Sequence, residues 1–222
     1  MSRILIAIDG PAGAGKSTVA RQVAKRLGIT YVDTGAMYRA IAWKAIEKKI
    51  DPENEEEMTQ LAESVKIDLH SEGISVDGHL LKDELRTSEV SSLASSIAKM
   101  PGVRRILVNK QQQIAEGQSV VMDGRDIGSH VLPHADVKVF LTASIEERAL
   151  RRYKEMKAKG MEVDPGQLKA ELVKRDENDR TRKISPLKKA DDAVLMDTTD
   201  CPVSEVVERI LKLCRNKLND EE

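Results

Sequence analysis

Aromatic side chains are scarce, with one Trp, three Tyr and one Phe making up 2% of 222 residues. Tyr31, Tyr38, Trp43, Phe140 and Tyr153 cannot supply the stacking platforms on which single-strand nucleic-acid binders hold bases. Net charge is almost absent too, at −1 from 36 Lys+Arg against 37 Asp+Glu. That balance removes any global attraction to nucleic acid or to an anionic membrane. No uncharged apolar run approaches the roughly 18 residues of a membrane helix. The apolar stretch nearest the start, Ile4 to Ile8, is stopped by Asp9. The expectation is a soluble cytoplasmic protein without a signal peptide, a monomer with neither nucleic acid nor membrane as partner. Cys201 and Cys214 stand outside any CxxC pattern and read as two reduced thiols. His70, His79, His130 and His134 have no companions at metal-ligand spacing.

Hydrophobic residues at 40% are enough for a real core. Ile4 to Ile8 is a short continuous apolar run, the pattern of a strand buried on both faces, and a helical stretch from Lys16 to Leu27 follows, ended by Gly28. Similar runs recur at Ile29 to Val32, Ser119 to Met122, Val137 to Leu141 and Ala193 to Met196. Five such strands alternating with helices predict a doubly wound α/β fold on a five-stranded parallel sheet. Two regions break the rhythm. Tyr38 to about Ser88 turns acidic at Glu53 and Glu55 to Glu57, then alternates on either side of Asp77-Gly78, which predicts a small antiparallel appendage. The other, Arg151 to Ala190, carries 13 Lys/Arg against 7 Asp/Glu, a local excess of 6 positive charges hidden in the neutral total.

Gly10-Pro11-Ala12-Gly13-Ala14-Gly15-Lys16-Ser17-Thr18 fits G-x-x-x-x-G-K-[ST] and lies between a buried strand and a helix start, where that chemistry belongs. A chance match in a chain of this length is on the order of 1%, before that context is required. The glycines let backbone N–H groups converge on phosphate oxygens and the helix N-terminus adds partial positive charge. Lys16 then reaches the β and γ phosphates, and the Ser17 hydroxyl can ligate Mg²⁺. A phosphate loop alone does not separate kinase, GTPase and ATPase motor. No guanine-reading N/T-K-x-D follows Phe140, and Val120-Val121-Met122-Asp123 is succeeded by Gly124 rather than the Glu of a motor ATPase.

Cationic and acidic residues gather at segments destined for the carboxyl edge of the sheet, where open α/β folds bind ligands. Strand two runs into Asp33-Thr34-Gly35-Ala36-Met37-Tyr38-Arg39, and strand three ends in Met122-Asp123-Gly124-Arg125-Asp126. Arg175, Asp179 and Arg182, at i, i+4 and i+7, share one helical face. Moving a phosphoryl group between two anions requires cations that cancel charge on both, and guanidinium forks bind phosphate in fixed geometry. The set therefore suits a second phosphorylated substrate, with the two irregular regions able to close over it and exclude water.

On these motifs, together with Val90 to Arg105, Met122 to Gly128, Glu147 to Arg152 and Arg175 to Leu187, the chain resembles the bacterial cytidylate kinases along essentially its full length. That family belongs to the P-loop nucleoside monophosphate kinases. The resemblance implies transfer of the ATP γ-phosphoryl group to CMP or dCMP, giving ADP and CDP or dCDP, with Mg²⁺. It implies that Thr34, Ser95, Arg104 and Asp126 hold the cytosine end, Arg39, Arg125 and Arg182 the acceptor phosphate, and Arg175 and Asp179 the sugar. Arg148 and Arg152 look like the lid arginines that meet ATP or the transferring group. Lys16, Arg125, Arg148, Arg152 and Arg182 form the expected catalytic set.

The chemistry agrees with that division. Cytosine offers a donor at N4 and acceptors at N3 and O2, so its reader needs a carboxylate and an arginine, the types of Asp126 and Arg104; uracil reverses both contacts. The expected organisation is a single kinase domain over 1–222. It has a core of 1–35, 101–147 and 166–222, a monophosphate-binding α+β insertion at about 36–100 and a short helical lid at about 148–165. The alternatives are a P-loop kinase for another acceptor such as UMP, or a nucleotide-binding module without turnover. Asp220-Glu221-Glu222 reads as a frayed helix end.

Overall fold

A computed structural model of the chain describes residues 3–70 and 73–219; Asp220-Glu221-Glu222 lies outside them. In chain order the elements are β1 (Leu5–Asp9), α1 (Lys16–Leu27), β2 (Thr30–Asp33), α2 (Thr34–Glu47), α3 (Glu55–Ser64), β3 (Ile67–His70), β4 (Gly73–Val76), β5 (His79–Leu81), α4 (Ser88–Ile97) and α5 (Pro101–Ala115). They continue with β6 (Val120–Gly124), β7 (Val137–Thr142), α6 (Ile145–Ala158), α7 (Pro165–Thr181), β8 (Val194–Asp197) and α8 (Val203–Asn219). Single turns of 3-10 helix at Asp83–Arg86 and of π helix at Ile127–Val131 complete the set. The chain divides into two compact units, one holding the described residues up to Tyr31 and from Gly117 onward, the other Val32–Glu116.

All five expected apolar runs form strands, and they join in one sheet of order β2-β6-β1-β7-β8. β1 is buried at every position and pairs in parallel with β6 on one side and β7 on the other, which in turn pairs with β8. Alternation along β1 then sorts its side chains between two faces. Ile4, Ile6 and Ile8 join Val19, Ala20, Val23 and Ala24 of α1 and Val206, Val207, Ile210, Leu211 and Cys214 of α8 in one core. α1 stops where Gly28 takes φ +68, a left-handed C-cap whose N–H donates to the Ala24 carbonyl, with Lys25 and Arg26 in the last turn favourably placed on the helix dipole.

In the second unit α2 packs on α4 and α3 on α5, beside the antiparallel sheet β3-β4-β5. Asp77 and Gly78, both at positive φ, turn β4 into β5 as the sequence predicted. The acidic run has a local cause. Asn54 caps α3 by accepting from the Glu57 N–H, and Glu55, Glu56 and Glu57 fill the first turn, where the helix dipole favours negative charge. α5 belongs to this unit, and its Lys110 Nζ donates to the Ala62 and Val65 carbonyls at 3.2 and 2.8 Å, closing the carbonyl end of α3.

Ile210 has no exposed surface and lies between α8 and the sheet. Ile210→Ala should therefore cost about 2–5 kcal/mol of stability, read as a lower urea midpoint with unchanged m-value. A midpoint equal to that of the parent would place this position outside the core.

Candidate active site

The turn after β1 is shaped by steric necessity. A Cβ on Gly10, at φ +146, would stand 2.0 Å from the Leu141 carbonyl oxygen, so only glycine lets the loop leave β1 this close to β7. Gly15, left-handed at φ +86, is the N-cap of α1 and offers no side-chain acceptor, so the first amides of the helix face the loop. Lys16 is buried, its Nζ donating to the Pro11 carbonyl at 2.8 Å. Burial draws the Lys16 ammonium down to about 7; Arg125 and Arg175 push the same way, while Asp123 and Asp179 resist.

Ser17 lies next to Asp123, a residue absent from the expected site. Its hydroxyl donates to Asp123 Oδ2 at 2.9 Å, while the Tyr31 hydroxyl donates to Oδ1 at 2.7 Å. Both are hard oxygen donors of the kind Mg²⁺ takes. The available signal was Val120-Val121-Met122-Asp123, an apolar strand ending in an acid beside the phosphate loop.

The loop is braced from behind by α6 and by the segment after β8. Arg148, expected to meet the transferring group, is 5% exposed and has its guanidinium committed elsewhere. Its Nε donates to the Ala143 carbonyl and its Nη1 to the Ala12 carbonyl, both at 3.0 Å, and its Nη2 pairs with Asp176 at 2.7 Å. Its neighbour Arg151 donates to the Thr198 hydroxyl at 3.1 Å and to the Thr198 carbonyl, and is held by Glu147 at 2.8 Å. The single proton of Thr198 Oγ1 is in turn shared between the Thr142 and Ala14 carbonyls, at 3.0 and 3.3 Å. Neither Thr198 nor Asp176 carries a local signal that would have singled it out. Arg152 is half-buried and pairs with Glu155 at 3.2 Å.

Beyond the loop, the end of β6 and the end of α7 are joined by crossed ion pairs. Arg125 Nε donates to Asp179 at 2.7 Å, and Arg182 Nη2 meets Asp126 at 3.2 Å. The segment after α7 folds back on it, with the Leu187 N–H donating to the Asp179 carbonyl at 2.7 Å and the Ser185 carbonyl accepting from Arg182 Nε. Burial works against the Asp179 carboxylate, but Arg125, Arg175 and Arg182 hold it below the usual range. Asp9 carries the opposite shift. Burial raises it to about 6 against the pull of the Gly128 and Ile127 amides, which still leaves a carboxylate at neutral pH.

One unit thus gathers Lys16, Ser17, Arg125, Asp126, Arg148, Arg152, Arg175, Asp179 and Arg182 of the expected residues. Thr34, Arg39, Ser95 and Arg104 lie in the other, on α2, α4 and α5. There Arg39 pairs with Asp33 at 3.1 Å, and Gly35 makes room for the pair, since a Cβ would press on both side chains. Thr34 and Arg104 are buried and Ser95 half-buried; Arg104 Nη1 donates to the Ala98 carbonyl at 3.3 Å.

The family model described as cytidylate kinase matches residues 6–216. A cytidylate kinase of Alkaliphilus oremlandii is 51% identical over 215 residues, covering 97% of this chain and 99% of that protein. One from Caldanaerobacter subterraneus subsp. tengcongensis is 51% identical over 218 residues, covering 98% and 97%. Among solved structures, an uncharacterized protein from Eubacterium ventriosum aligns with a TM-score of 0.55 at 15% identity, covering 95% of this chain and 97% of that one, a likeness of fold alone.

A triphosphate that restores charge to Lys16 takes up a proton as it binds. Its affinity should fall as pH rises from about 7 to about 9, by up to about tenfold per unit. Calorimetric titration at pH 8 in two buffers of different ionisation enthalpy reads that uptake. An affinity flat over this range would contradict a depressed lysine at the phosphate loop.

Proposed function

The chain belongs to the cytidylate kinase family and is a (d)CMP kinase, and on that premise we propose how its residues divide the work. The reaction moves the γ-phosphoryl group of ATP to CMP or dCMP, leaving ADP and CDP or dCDP. An ionised acceptor phosphate is already a nucleophile, so no strong general base is required. Catalysis is positioning plus charge neutralisation.

The loop Gly10 to Thr18 cradles the ATP phosphates through its amides, and Lys16 neutralises charge developing between the β and γ phosphates. Arg39, Arg125 and Arg182 take the acceptor phosphate, where planar guanidinium forks orient as well as attract. Arg175 and Asp179 take the sugar. Thr34, Ser95, Arg104 and Asp126 take the base, with Asp126 accepting from N4. Arg152 meets the transferring group, while Arg148 acts through the loop carbonyl it holds. Ser17 and Asp123 would hold Mg²⁺, which when bound supplies neutralisation of the β and γ phosphate oxygens. The pairing of Ser17 with Asp123 at 2.9 Å supports that choice.

What carries this division is the crossed pairing of Arg125 with Asp179 and of Arg182 with Asp126, beside a buried loop lysine. The carboxylates keep the guanidiniums aligned, and a phosphate can share the remaining N–H groups of each fork. We take the enzyme to act as a cytoplasmic monomer on small molecules; no helix among the described residues is long and apolar enough to cross a membrane.

ADP release measured with CMP, dCMP, UMP and AMP as acceptors tests the reading. CMP and dCMP should turn over fastest, and UMP outrunning CMP would sink the base assignment. Lys16→Ala should lower turnover at least about a hundredfold, the usual cost of losing a charge contact made in the transition state. Near-normal turnover in that variant would overturn the mechanism.

A further inference from the structure

We propose that Asp9 is the positioning residue for the base-reading carboxylate of Asp126, and so sets pyrimidine selectivity without touching the base. Asp126 immediately precedes the π turn Ile127–Val131. An aspartate there ordinarily caps its own helix, folding its side chain back onto the first amides. The Asp126 side chain makes no such bond. The orphan amides go instead to a residue more than a hundred positions away: Ile127 N–H donates to Asp9 Oδ1 and Gly128 N–H to Asp9 Oδ2, each at 2.8 Å. Asp126 is thereby left turned toward Arg182, 3.2 Å away.

The geometry follows from the register of β1. Ile8 lies opposite Asp123 and Asp9 opposite Gly124, so alternation sends Asp9 to the face away from α1 and onto the turn that follows β6. Asp9 is 5% exposed and ends β1 one residue before the phosphate loop begins. One carboxylate therefore fixes the base-reading turn to the strand that carries the loop. Gly128 lets the turn approach: a Cβ there would meet the Lys138 chain at 3.2 Å and Asp9 Oδ2 at 3.4 Å. Two consecutive donors need two acceptors at this spacing. Asparagine, of the same size, would set its own N–H₂ against one of them.

The proposal rests on Asp126 as the reader of N4, and the test separates the two. In the full-length enzyme, kcat/KM is measured for CMP and for UMP, with KM for ATP, in Asp9→Asn, Gly128→Ala and Asp126→Asn. A ratio of two substrates does not depend on how much of a preparation is folded, so general destabilisation leaves it unmoved. Asp9→Asn should lower the CMP/UMP ratio by at least about tenfold with KM for ATP within about threefold of the parent, and Gly128→Ala should lower the ratio less. A ratio within about twofold of the parent in Asp9→Asn, alongside a collapsed ratio in Asp126→Asn, overturns the positioning role alone. An unchanged ratio in Asp126→Asn overturns the reading beneath it. Should Asp9→Asn fail to fold, Gly128→Ala decides, an unchanged ratio there counting against the proposal.

Discussion

Concentrated positive charge is the constraint around which the first unit is organised. Binding two phosphorylated molecules calls for several cations close together, and cations in a buried volume repel one another and lose hydration. The depressed Lys16 registers that cost, with burial first and Arg125 next among its causes. The fold answers with carboxylates. Arg125 meets Asp179, Arg182 meets Asp126 and Arg148 meets Asp176. In each pair the partners come from different segments, so charge matching also decides the tertiary arrangement. Removing one partner of a buried pair typically costs about 3–5 kcal/mol, because the other is left uncompensated.

Those pairs make α7 the common anchor. Asp176 and Asp179, on one face of the helix, tie it to α6 and to the end of β6, and Arg182 just beyond its last turn adds the tie to Asp126. The phosphate loop is suspended between such ties. Its Ala12 carbonyl is taken by Arg148 and its Ala14 carbonyl by Thr198, while Ser17 is held against Asp123. In a trans peptide the N–H points opposite to its carbonyl, so these ties turn the Gly13 and Gly15 amides away from Arg148 and Thr198, the polarity a phosphate requires.

Much of the fold was legible because its signals are local. Ile4 to Ile8 and Val137 to Leu141 are apolar at consecutive positions, which a strand buried on both faces explains, and Asp77-Gly78 has the backbone freedom that a tight hairpin demands. The phosphate loop was equally open to reading, since its glycine spacing is itself the geometry. The placement of α5 was not, because its packing on α3, with Lys110 at the carbonyl end of that helix, joins segments distant in the chain. Arg148 and Arg152, alike in the sequence, differ only in depth: one is spent on carbonyls and Asp176, the other lies at the half-exposed surface of α6.

The residues themselves determined that there would be a parallel sheet, a phosphate loop at the end of its first strand, and a supply of guanidiniums and carboxylates suited to two phosphorylated ligands. Spacing of three or four along a helix, alternation along a strand and glycine at a forced turn are short-range matters, and they survive in a one-dimensional text. Only the tertiary structure decided which carboxylate serves which cation, and which aspartates meet backbone amides or hydroxyls instead. Asp9, Asp123, Asp126, Asp176 and Asp179 are chemically one residue type. Their division of labour arises from strand register and helix packing, which bring Asp9 to two backbone amides, Asp123 to two hydroxyls and the other three to arginines.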